Sequence, residues 1–177
     1  MSYPLGPPRA TAVDLLVPEA DALVGEWYRQ TDAFAKGMPP HVTLLYPWRP
    51  APVAVVDLLE LQSVLANVRP FDLALDRVGR FPGVLYLAPT EDQAVRALIG
   101  LLAAAFPDTP PYAGAFSNPV PHLTVCKSDD ERALDSIERQ LDGIVTTQPP
   151  LTVVVDEVCV DEEGPDGRWA TRHRFRL

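Results

Sequence analysis

Residues 39–48 read Pro-Pro-His-Val-Thr-Leu-Leu-Tyr-Pro-Trp, an apolar run prone to β-structure that carries His41 and Thr43 two positions apart. In a β-strand, residues i and i+2 point to the same face. The stretch therefore predicts a strand in which His41 and Thr43 share one face while Val42 and Leu44 pack behind them.

The same arrangement returns in residues 120–126, Val-Pro-His-Leu-Thr-Val-Cys, where a proline again precedes a histidine that is followed by an apolar residue and a threonine. The chain has three histidines, and two of them, His41 and His122, lie in these motifs. A four-residue pattern that occurs twice predicts two symmetric halves of one site, with Thr43 and Thr124 beside the histidines.

The length of 177 residues fits one domain of ordinary size or two closely packed lobes, and a hydrophobic content of 47% is enough for a substantial core. We expect residues 1–177 to form a single domain. The formal charge of −9 disfavours duplex DNA as a partner, because such binding depends on many lysine and arginine contacts to phosphates. A local basic pocket is compatible with this charge.

The cysteines and the N-terminus bear on the compartment. Cys126 and Cys159 form neither a CxxC motif nor a disulfide framework, which is typical of a reducing cytoplasm. Residues 1–8 lack the basic and apolar parts of a signal peptide, and no apolar run approaches the length of a membrane span. We expect a cytoplasmic monomer that is not attached to a membrane.

Hydrophobic periodicity predicts helices over 19–31, 52–67, 91–106 and 128–141, and strands between them. The second helix is expected to bury one stripe, and the third to begin at Thr90 and bury another. The fourth is expected to begin with a capping box formed by Ser128 and Glu131. The residues of the two stripes are Val55, Leu58, Leu59, Gln62 and Leu65, and Val95, Leu98, Ile99 and Leu102.

Residues 10–17 are predicted to form the first strand. Residues 71–88 and 151–177 each predict an antiparallel hairpin, the second with a Val-rich strand over 151–161. Hairpins mixed with helices favour antiparallel sheets and an α+β fold over a doubly wound parallel one. The order of elements also predicts an approximate internal duplication, with one histidine motif in each half.

The chemistry of the motifs follows from the titration of imidazole near neutral pH, because one histidine can hold a proton while the other accepts one. Phosphoryl transfer by in-line attack needs a base beside the entering oxygen and an acid beside the leaving oxygen, on opposite sides of phosphorus. A threonine hydroxyl on the same face can donate to a non-bridging phosphate oxygen. The motifs therefore predict acid–base catalysis at phosphorus by His41 and His122, with Thr43 and Thr124 binding the phosphate.

The sequences His41-Val-Thr43-Leu and His122-Leu-Thr124-Val resemble the HxTx motifs of the two-histidine phosphoesterase superfamily, which includes the 2′-5′ RNA ligase-like and cyclic phosphodiesterase proteins. The likeness extends over nearly the whole chain. It includes Pro70-Phe71 at the start of a strand, the segment Gly79-Arg80-Phe81-Pro82 and a terminal strand that contains Trp169 and ends in Phe175-Arg-Leu177.

The resemblance implies a bilobed, pseudo-duplicated α+β fold, in which two antiparallel sheets flank a central groove with helices packed on the outside and both motifs on the groove floor. It implies opening of a 2′,3′-cyclic phosphate, or cleavage or joining of a 2′-5′ phosphodiester, on a nucleotide or RNA end, without a metal or cofactor. In the RNA-ligase-like members the first histidine donates a proton and the second accepts one, which carries over to His41 and His122.

Further residues near the motifs are candidates for substrate contacts. Basic candidates for phosphate or base binding are Arg49, Arg80 and Lys127. Aromatic candidates for stacking on a base are Tyr46, Phe81 and Phe116, together with Tyr112 and Trp169. In a regular strand Cys126 would share the face of His122, with packing in the core as the alternative. His173 has no threonine two residues on, which favours a structural role.

Members that act on large RNA would be expected to have a more basic rim than this acidic chain, so we expect a small nucleotide or a short RNA end as the substrate. Two alternatives stay open. One is a nucleotide- or RNA-end-binding module without turnover, and the other is a phosphodiesterase for a non-nucleotide cyclic phosphate. Nucleotide binding without product would favour the first, and a panel of substrates would identify the second.

Overall fold

The structure is a computed structural model that describes residues 9–177, so the N-terminal stretch considered for a signal peptide lies outside the described residues. The strands are β1 (Thr11–Leu16), β2 (His41–Leu45), β3 (Phe71–Leu75), β4 (Arg77–Phe81), β5 (Val84–Ala88), β6 (Leu123–Lys127), β7 (Leu151–Val155), β8 (Glu157–Glu163) and β9 (Trp169–Arg176). The helices are α1 (Asp21–Tyr28), α2 (Asp32–Ala35), α3 (Val55–Leu65), α4 (Gln93–Ala105) and α5 (Glu131–Thr147). Two 3-10 turns lie at Pro18–Ala20 and Pro111–Gly114.

The strands form a seven-stranded sheet in the order β4-β5-β6-β2-β1-β8-β9 and a separate two-stranded sheet of β3 and β7. Neighbouring strands pair antiparallel throughout the described residues, which confirms the predicted α+β class with antiparallel sheets. The large sheet has two parts, β4-β5-β6 and β2-β1-β8-β9, that are joined through the single pair Val42–Leu123. The internal duplication and the single-domain organisation over 1–177 stay predictions.

One face of the large sheet builds the core. Val13, Leu15, Val42 and Leu123 on this face are fully or almost fully buried. Helix α1 packs near β6, α4 near β2 and α5 near β4 and β5, while α3 packs against α4 and β9. Since Val42 and Leu123 point into this core, His41 and His122 point to the opposite face.

Both predicted hairpins proved to contain an additional strand. Residues 71–75 pair with β7 in the small sheet, and the hairpin of the large sheet begins only at Arg77. Likewise, the expected strand over 151–161 is two strands, β7 and β8, of which only β8 pairs with β9. Both antiparallel hairpins are therefore present, as β4–β5 and β8–β9, but the prediction that each begins at residue 71 or 151 was wrong. Alternation of apolar residues shows which face of a strand is buried, but it carries no information on the partner strand.

The burial stripe predicted for residues 52–67 is confirmed only in its second half. Leu65 is buried and Leu58 packs partly buried against the core, whereas Val55 and Leu59 are 70% and 59% exposed. The helix also buries Leu61, which the prediction did not include. Helix α3 starts only at Val55, and its first turn projects beyond the core that its second half contacts. For α4 the predicted stripe is confirmed, because Val95, Leu98, Ile99 and Leu102 are all buried.

Helix ends differ from the expectations because local hydrogen bonds decide them. The N-cap of α5 is Asp130, whose carboxylate accepts hydrogen bonds from the backbone N–H groups of Arg132 and Ala133, so the predicted capping box with Ser128 was wrong. Helix α5 also continues to Thr147. The N-cap of α4 is Asp92 and not Thr90. Within residues 9–177, no helix combines the length and the apolar character that crossing a bilayer requires.

Candidate active site

The two histidine motifs meet at the junction between the parts of the large sheet. Val42 and Leu123 form the pair that joins β2 to β6. In an antiparallel ladder the next residue on one strand lies opposite the preceding residue on the other. His41 is therefore placed beside Thr124 and Thr43 beside His122, so each histidine faces the threonine of the other motif. All four side chains are half-buried on one face.

A hydrogen bond to a backbone carbonyl two residues earlier holds each imidazole. The ring nitrogen Nδ1 of His41 is 2.8 Å from the carbonyl oxygen of Pro39, and that of His122 is 2.7 Å from the carbonyl oxygen of Val120. Each carbonyl belongs to the residue that precedes a proline, a position biased towards extended backbone. Because a carbonyl only accepts, Nδ1 carries a proton in each ring, and Nε2 is left as the atom that gains or loses one.

The electrostatic surroundings of the two imidazoles differ. Burial lowers the pKa of His41, and the Pro39 carbonyl and the charge of Asp161 oppose that shift. Burial also lowers the pKa of His122, the Val120 carbonyl opposes it, and positive charge on His41 and Lys127 lowers it further. Both rings thus titrate below the ordinary value of 6.5, and only His41 has a carboxylate among the groups that shift it.

Aromatic rings surround His122. The ring centroid of Phe81 lies 5.1 Å from that of His122 with the planes nearly perpendicular, and that of Tyr86 lies 5.2 Å away. Phe81 and Tyr86 themselves pack at 4.4 Å. Tyr86 is opposite Gly79 in the β4–β5 ladder, and a Cβ atom at position 79 would overlap the Tyr86 ring. The glycine therefore makes room for the ring that packs on His122.

A cavity of about 590 Å³ opens beside His122 and Thr124. Phe81 and Phe116 line it, as does Lys127, the one lysine or arginine among the described residues of its wall. Tyr112 also lines the cavity, with its ring 5.7 Å from that of Phe116. Burial, followed by the negative charge of Asp14, raises the pKa of the Tyr112 hydroxyl to about 12.

The loop that carries Tyr112 has an unusual backbone. Tyr112 and Ala113 both have φ of +53°, in the left-handed region that residues with a side chain rarely adopt. Such strained residues persist only where the surrounding structure holds them, and they cluster at ligand-binding sites. This conformation is the one in which the Tyr112 ring lines the cavity.

A β-bulge in β6 decides the orientation of Cys126 and Lys127. Thr124 is opposite Tyr86, but Cys126 is opposite Leu85, so Val125 is an extra residue. Cys126 therefore faces the core, where it is 5% exposed, and Lys127 faces the cavity. The structure supports the core position for Cys126, because the strand is not regular at this point.

Acidic residues lie beside the first motif. Asp14 of β1 is directly opposite Thr43, and it is completely buried. Asp161 of β8 is also buried, and its charge acts on His41.

Tyr46 directly follows β2 and is exposed, with its ring 6.1 Å from that of Trp169. No group of three or more His, Cys, Asp or Glu side chains in residues 9–177 is arranged to hold a metal ion.

Two of the arginines selected from the sequence are bound elsewhere. Arg80 faces α5, where it forms ion pairs with Glu131, Asp135 and Glu138. It is opposite Leu85, on the core side of β4, and we do not include it in the site.

Arg49 is held by Asp57 at 2.9 Å and by Asp108 at 2.5 Å, and it is likewise left out of the site. His173 is opposite Val160, a core residue of β8, which agrees with the structural role expected from the sequence.

Three neighbours of the motifs were missed in the sequence. Tyr86 was assigned only to a strand, although its position opposite a glycine in a hairpin is a pattern that could have indicated a close ring contact. Asp14 is an acid inside a run of buried apolar residues, which is itself unusual. Asp161 could not be singled out in this way, because it ends the predicted strand over 151–161 and is followed by a turn rich in acids.

Comparison with known proteins identifies the fold. The chain resembles the apo form of LigT from E. coli with a TM-score of 0.61 at 19% identity, over 97% of this chain and 99% of that one. It resembles E. coli LigT complexed with 3′-AMP with a TM-score of 0.59 at 18% identity, over the same shares of the chains. A structure described as a phosphoesterase gives a TM-score of 0.55 at 20% identity, again over 97% and 99%. No curated protein matches this sequence significantly.

The family follows from the sequence itself. The model of the 2′-5′ RNA ligase superfamily matches residues 15–165, which is most of the chain and includes both histidine motifs. The resemblance to two-histidine phosphoesterases is thereby confirmed, and the chain belongs to the 2′-5′ RNA ligase superfamily.

Proposed function

We propose that this protein is a metal-independent phosphodiesterase that acts on a 2′,3′-cyclic phosphate or a 2′-5′ phosphodiester of a nucleotide or short RNA end. His41 and His122 are the acid and the base, and Thr43 and Thr124 donate hydrogen bonds to the phosphate. The observation that carries this proposal is the crossed arrangement of the two motifs over the Val42–Leu123 pair, with both imidazoles held through Nδ1.

The superfamily fits a phosphodiesterase, and its solved members support nucleotides as ligands. E. coli LigT has been crystallised with 3′-AMP, with ATP, with NADP+ and with phosphate. In this chain the cavity beside His122 is lined by Phe81, Tyr112 and Phe116, whose faces suit a nucleobase. The cavity volume of about 590 Å³ lies within the range of small-ligand pockets.

Placing the base in this cavity orients the reaction. The ribose hydroxyls of that nucleotide then lie nearest His122, and the other bridging oxygen of the phosphodiester faces His41. In cleavage of a 2′-5′ linkage, neutral His122 takes the proton of the 3′-hydroxyl as its oxygen attacks phosphorus. His41 gives its proton to the departing 5′-oxygen, and the products are a 2′,3′-cyclic phosphate and a free 5′-hydroxyl.

Opening of a cyclic phosphate uses the same groups in exchanged roles. Neutral His41 takes a proton from water, or from a 5′-hydroxyl in ligation, while the oxygen attacks phosphorus. His122 then protonates the ribose oxygen that leaves. In both directions Thr43 and Thr124 are positioned to hold the non-bridging oxygens, and Lys127 adds positive charge at the cavity wall.

The experiment is hydrolysis of 2′,3′-cyclic nucleotides and of 2′-5′ dinucleotides by the purified protein in EDTA. We expect turnover by the wild type and a loss of about 10²–10⁴-fold in kcat for His41→Ala and for His122→Ala. His173→Ala, which changes the histidine outside the site, is the matched control. Equal turnover by wild type, His41→Ala and His122→Ala would remove these histidines from the mechanism.

The same assay separates the two alternatives. Saturable nucleotide binding without product would identify a binding module. Turnover of small cyclic phosphates without a base, at rates equal to those of the cyclic nucleotides, would identify a non-nucleotide phosphodiesterase. The aromatic lining of the cavity favours the nucleotide substrate.

A further inference from the structure

A buried acid lies directly behind the first motif. Asp14 is 0% exposed in the middle of β1, opposite Thr43 on one side and Cys159 on the other. Among residues 9–177, no donor makes a well-formed hydrogen bond to either of its carboxyl oxygens. Buried polar groups without partners are rare and costly, so the state of this carboxyl requires an explanation.

The second carboxyl of the cluster belongs to Asp161, which is 1% exposed. Its Oδ1 accepts a hydrogen bond of 2.6 Å from the hydroxyl of Thr171, and its Oδ2 has no donor within the described part of the chain. Asp161 is opposite Ala12, so it lies diagonally across from Asp14 on the same face of the β1–β8 ladder. The two carboxyl groups are within hydrogen-bonding reach of each other.

No lysine or arginine in residues 9–177 forms an ion pair with either acid. Arg174 of β9, whose charge acts on Asp161, is paired with Glu157 at 2.6 Å. Two adjacent buried carboxyls cannot both be ionised at moderate cost, and such pairs hold one proton between them. A proton on Asp14 that is donated to Oδ2 of Asp161 gives both unpartnered groups a hydrogen bond.

The surroundings show which acid keeps the proton. Asp161 receives a hydrogen bond from Thr171, which favours its ionised form, whereas Asp14 has only the Thr43 hydroxyl as a neighbouring donor. Burial, and then the charge of Asp161, raises the pKa of Asp14 well above its ordinary value. Burial also raises the pKa of Asp161, but Thr171 and positive charge on His41 oppose that shift.

We propose that Asp14 and Asp161 are positioning residues of the first motif, a carboxyl pair that shares one proton and presents a single negative charge to His41. This inference rests on the proposed function of His41 and Thr43. The single charge stabilises the imidazolium of His41, which is the reactant when His41 is the acid and is formed when His41 is the base. A neutral Asp14 is a weak acceptor, and it leaves the Thr43 hydroxyl available to the phosphate.

Other groups face this cluster from every neighbouring element. Lys127 of β6 acts on His41 as a positive charge, protonated His41 acts in turn on His122 just before β6, and Tyr112 lies in the 3-10 turn on the same side. Tyr28 of α1 is buried, and its hydroxyl donates a hydrogen bond to the carbonyl of Pro39, the group that also holds His41. These groups keep their charges in the variants below, so differences between variants report on the acids.

The test is an NMR titration of the imidazole signals in the full-length protein. Three histidines give a simple spectrum, and His41→Ala assigns the signal of His41. We expect Asp161→Asn to move the titration of His41 to lower pH, because the negative charge is removed. We expect Asp14→Asn to move it less, because an amide can donate to Asp161 as the protonated acid does. Asp156→Asn, which removes an acid paired with Arg176 on the surface, is the control and should leave His41 unchanged.

Two further measurements guard against failure of a variant to fold. Thr171→Val removes the hydroxyl that stabilises the charge of Asp161, and we expect a smaller displacement of the His41 titration in the same direction. The raised pKa of Asp14 means that its contribution to stability falls as pH rises above the ordinary value of 3.8. Asp14→Asn should therefore raise Tm at pH 7, and by more than Asp161→Asn, because the pKa of Asp14 is the one raised well above its ordinary value.

An Asp161→Asn protein that is folded and titrates like the wild type at His41 would overturn the proposal. So would a larger displacement for Asp14→Asn than for Asp161→Asn. In the pH dependence of kcat/KM, the limb that reports His41 should move to lower pH in Asp161→Asn. If the wild type hydrolyses no phosphodiester, the proposed function fails, but the titration still decides the inference about the acids.

Discussion

The two halves of the candidate site hold the same imidazole–carbonyl hydrogen bond in different surroundings. His41 lies near Asp14 and Asp161, two buried acids, whereas His122 packs against the rings of Phe81 and Tyr86. A carboxylate favours the protonated form of a neighbouring imidazole, and an apolar, aromatic environment favours the neutral form. The backbone thus fixes the geometry of both histidines alike, and the flanking strands make one a better proton donor and the other a better acceptor.

This comparison explains how a nearly symmetric arrangement can serve an asymmetric reaction. Cleavage of a phosphodiester needs one protonated and one neutral imidazole at the same time. In this protein, the charge of Asp161 favours the protonated form of His41, and positive charge on His41 and Lys127 disfavours the protonated form of His122. A substitution confined to the residues around one histidine leaves the other histidine as an internal reference.

After the histidines themselves, the largest effect is expected from the threonines. Thr43→Val and Thr124→Val each remove a hydroxyl donor to the phosphate with little change of shape, and each should lower kcat about 10²-fold. Only Thr43→Val should also lower Tm at pH 7, because the Thr43 hydroxyl opposes the raised pKa of Asp14 and its loss raises that pKa further. Steady-state kinetics and thermal melting check this, and equal Tm values for the two variants would argue against a difference between the halves.

The pH dependence tests the two imidazoles together. Burial lowers both pKa values below 6.5, so kcat/KM should be bell-shaped with its maximum below that pH. Above both pKa values no imidazolium remains to act as the acid, and below both no neutral ring remains to act as the base. Activity should fall about tenfold per pH unit on the outer limbs. A profile that still rises at alkaline pH would show that other groups control the rate.

The smallest effect is expected from a substitution at Gly79, which lies only near His122. In Gly79→Ala the new Cβ atom displaces Tyr86, which packs on His122 and Phe81, so we expect a severalfold loss of kcat/KM and about 1–3 kcal/mol of destabilisation. Gly100→Ala in α4, where a Cβ meets no atom, is the matched control and should leave activity unchanged. The titration of His41 should not change in either variant. Unchanged activity in a destabilised Gly79→Ala protein would mean that the rings do not hold His122.

The central geometry was predictable because it depends on local rules. A strand period of two places His41 with Thr43 and His122 with Thr124, and the composition of the intervening segments indicated antiparallel sheets. The family model and the fold of LigT confirm the family and the fold class that these motifs indicated.

The remaining features depend on contacts between distant segments. Arg80 was a candidate for phosphate binding in the sequence, but three acids of α5, more than fifty residues away, bind it on the face of the sheet opposite the histidines. The pairing of β3 with β7 and the acid pair of β1 and β8 are likewise set by strand neighbours that periodicity does not reveal. The face of β6 on which Cys126 lies could not be predicted, because a single bulge residue reverses the alternation of side chains along the strand.

The bulges have a consequence of their own. Strand β2 has its extra residue at Leu44, directly after Thr43, just as β6 has one at Val125, directly after Thr124. In each motif the third residue after the threonine is thereby turned to the face that carries the histidines. This residue is Tyr46 after the first motif and Lys127 after the second. Because both residues lie outside the His-x-Thr motifs, we expect substitutions of Tyr46 and of Lys127 to change ligand preference independently of each other.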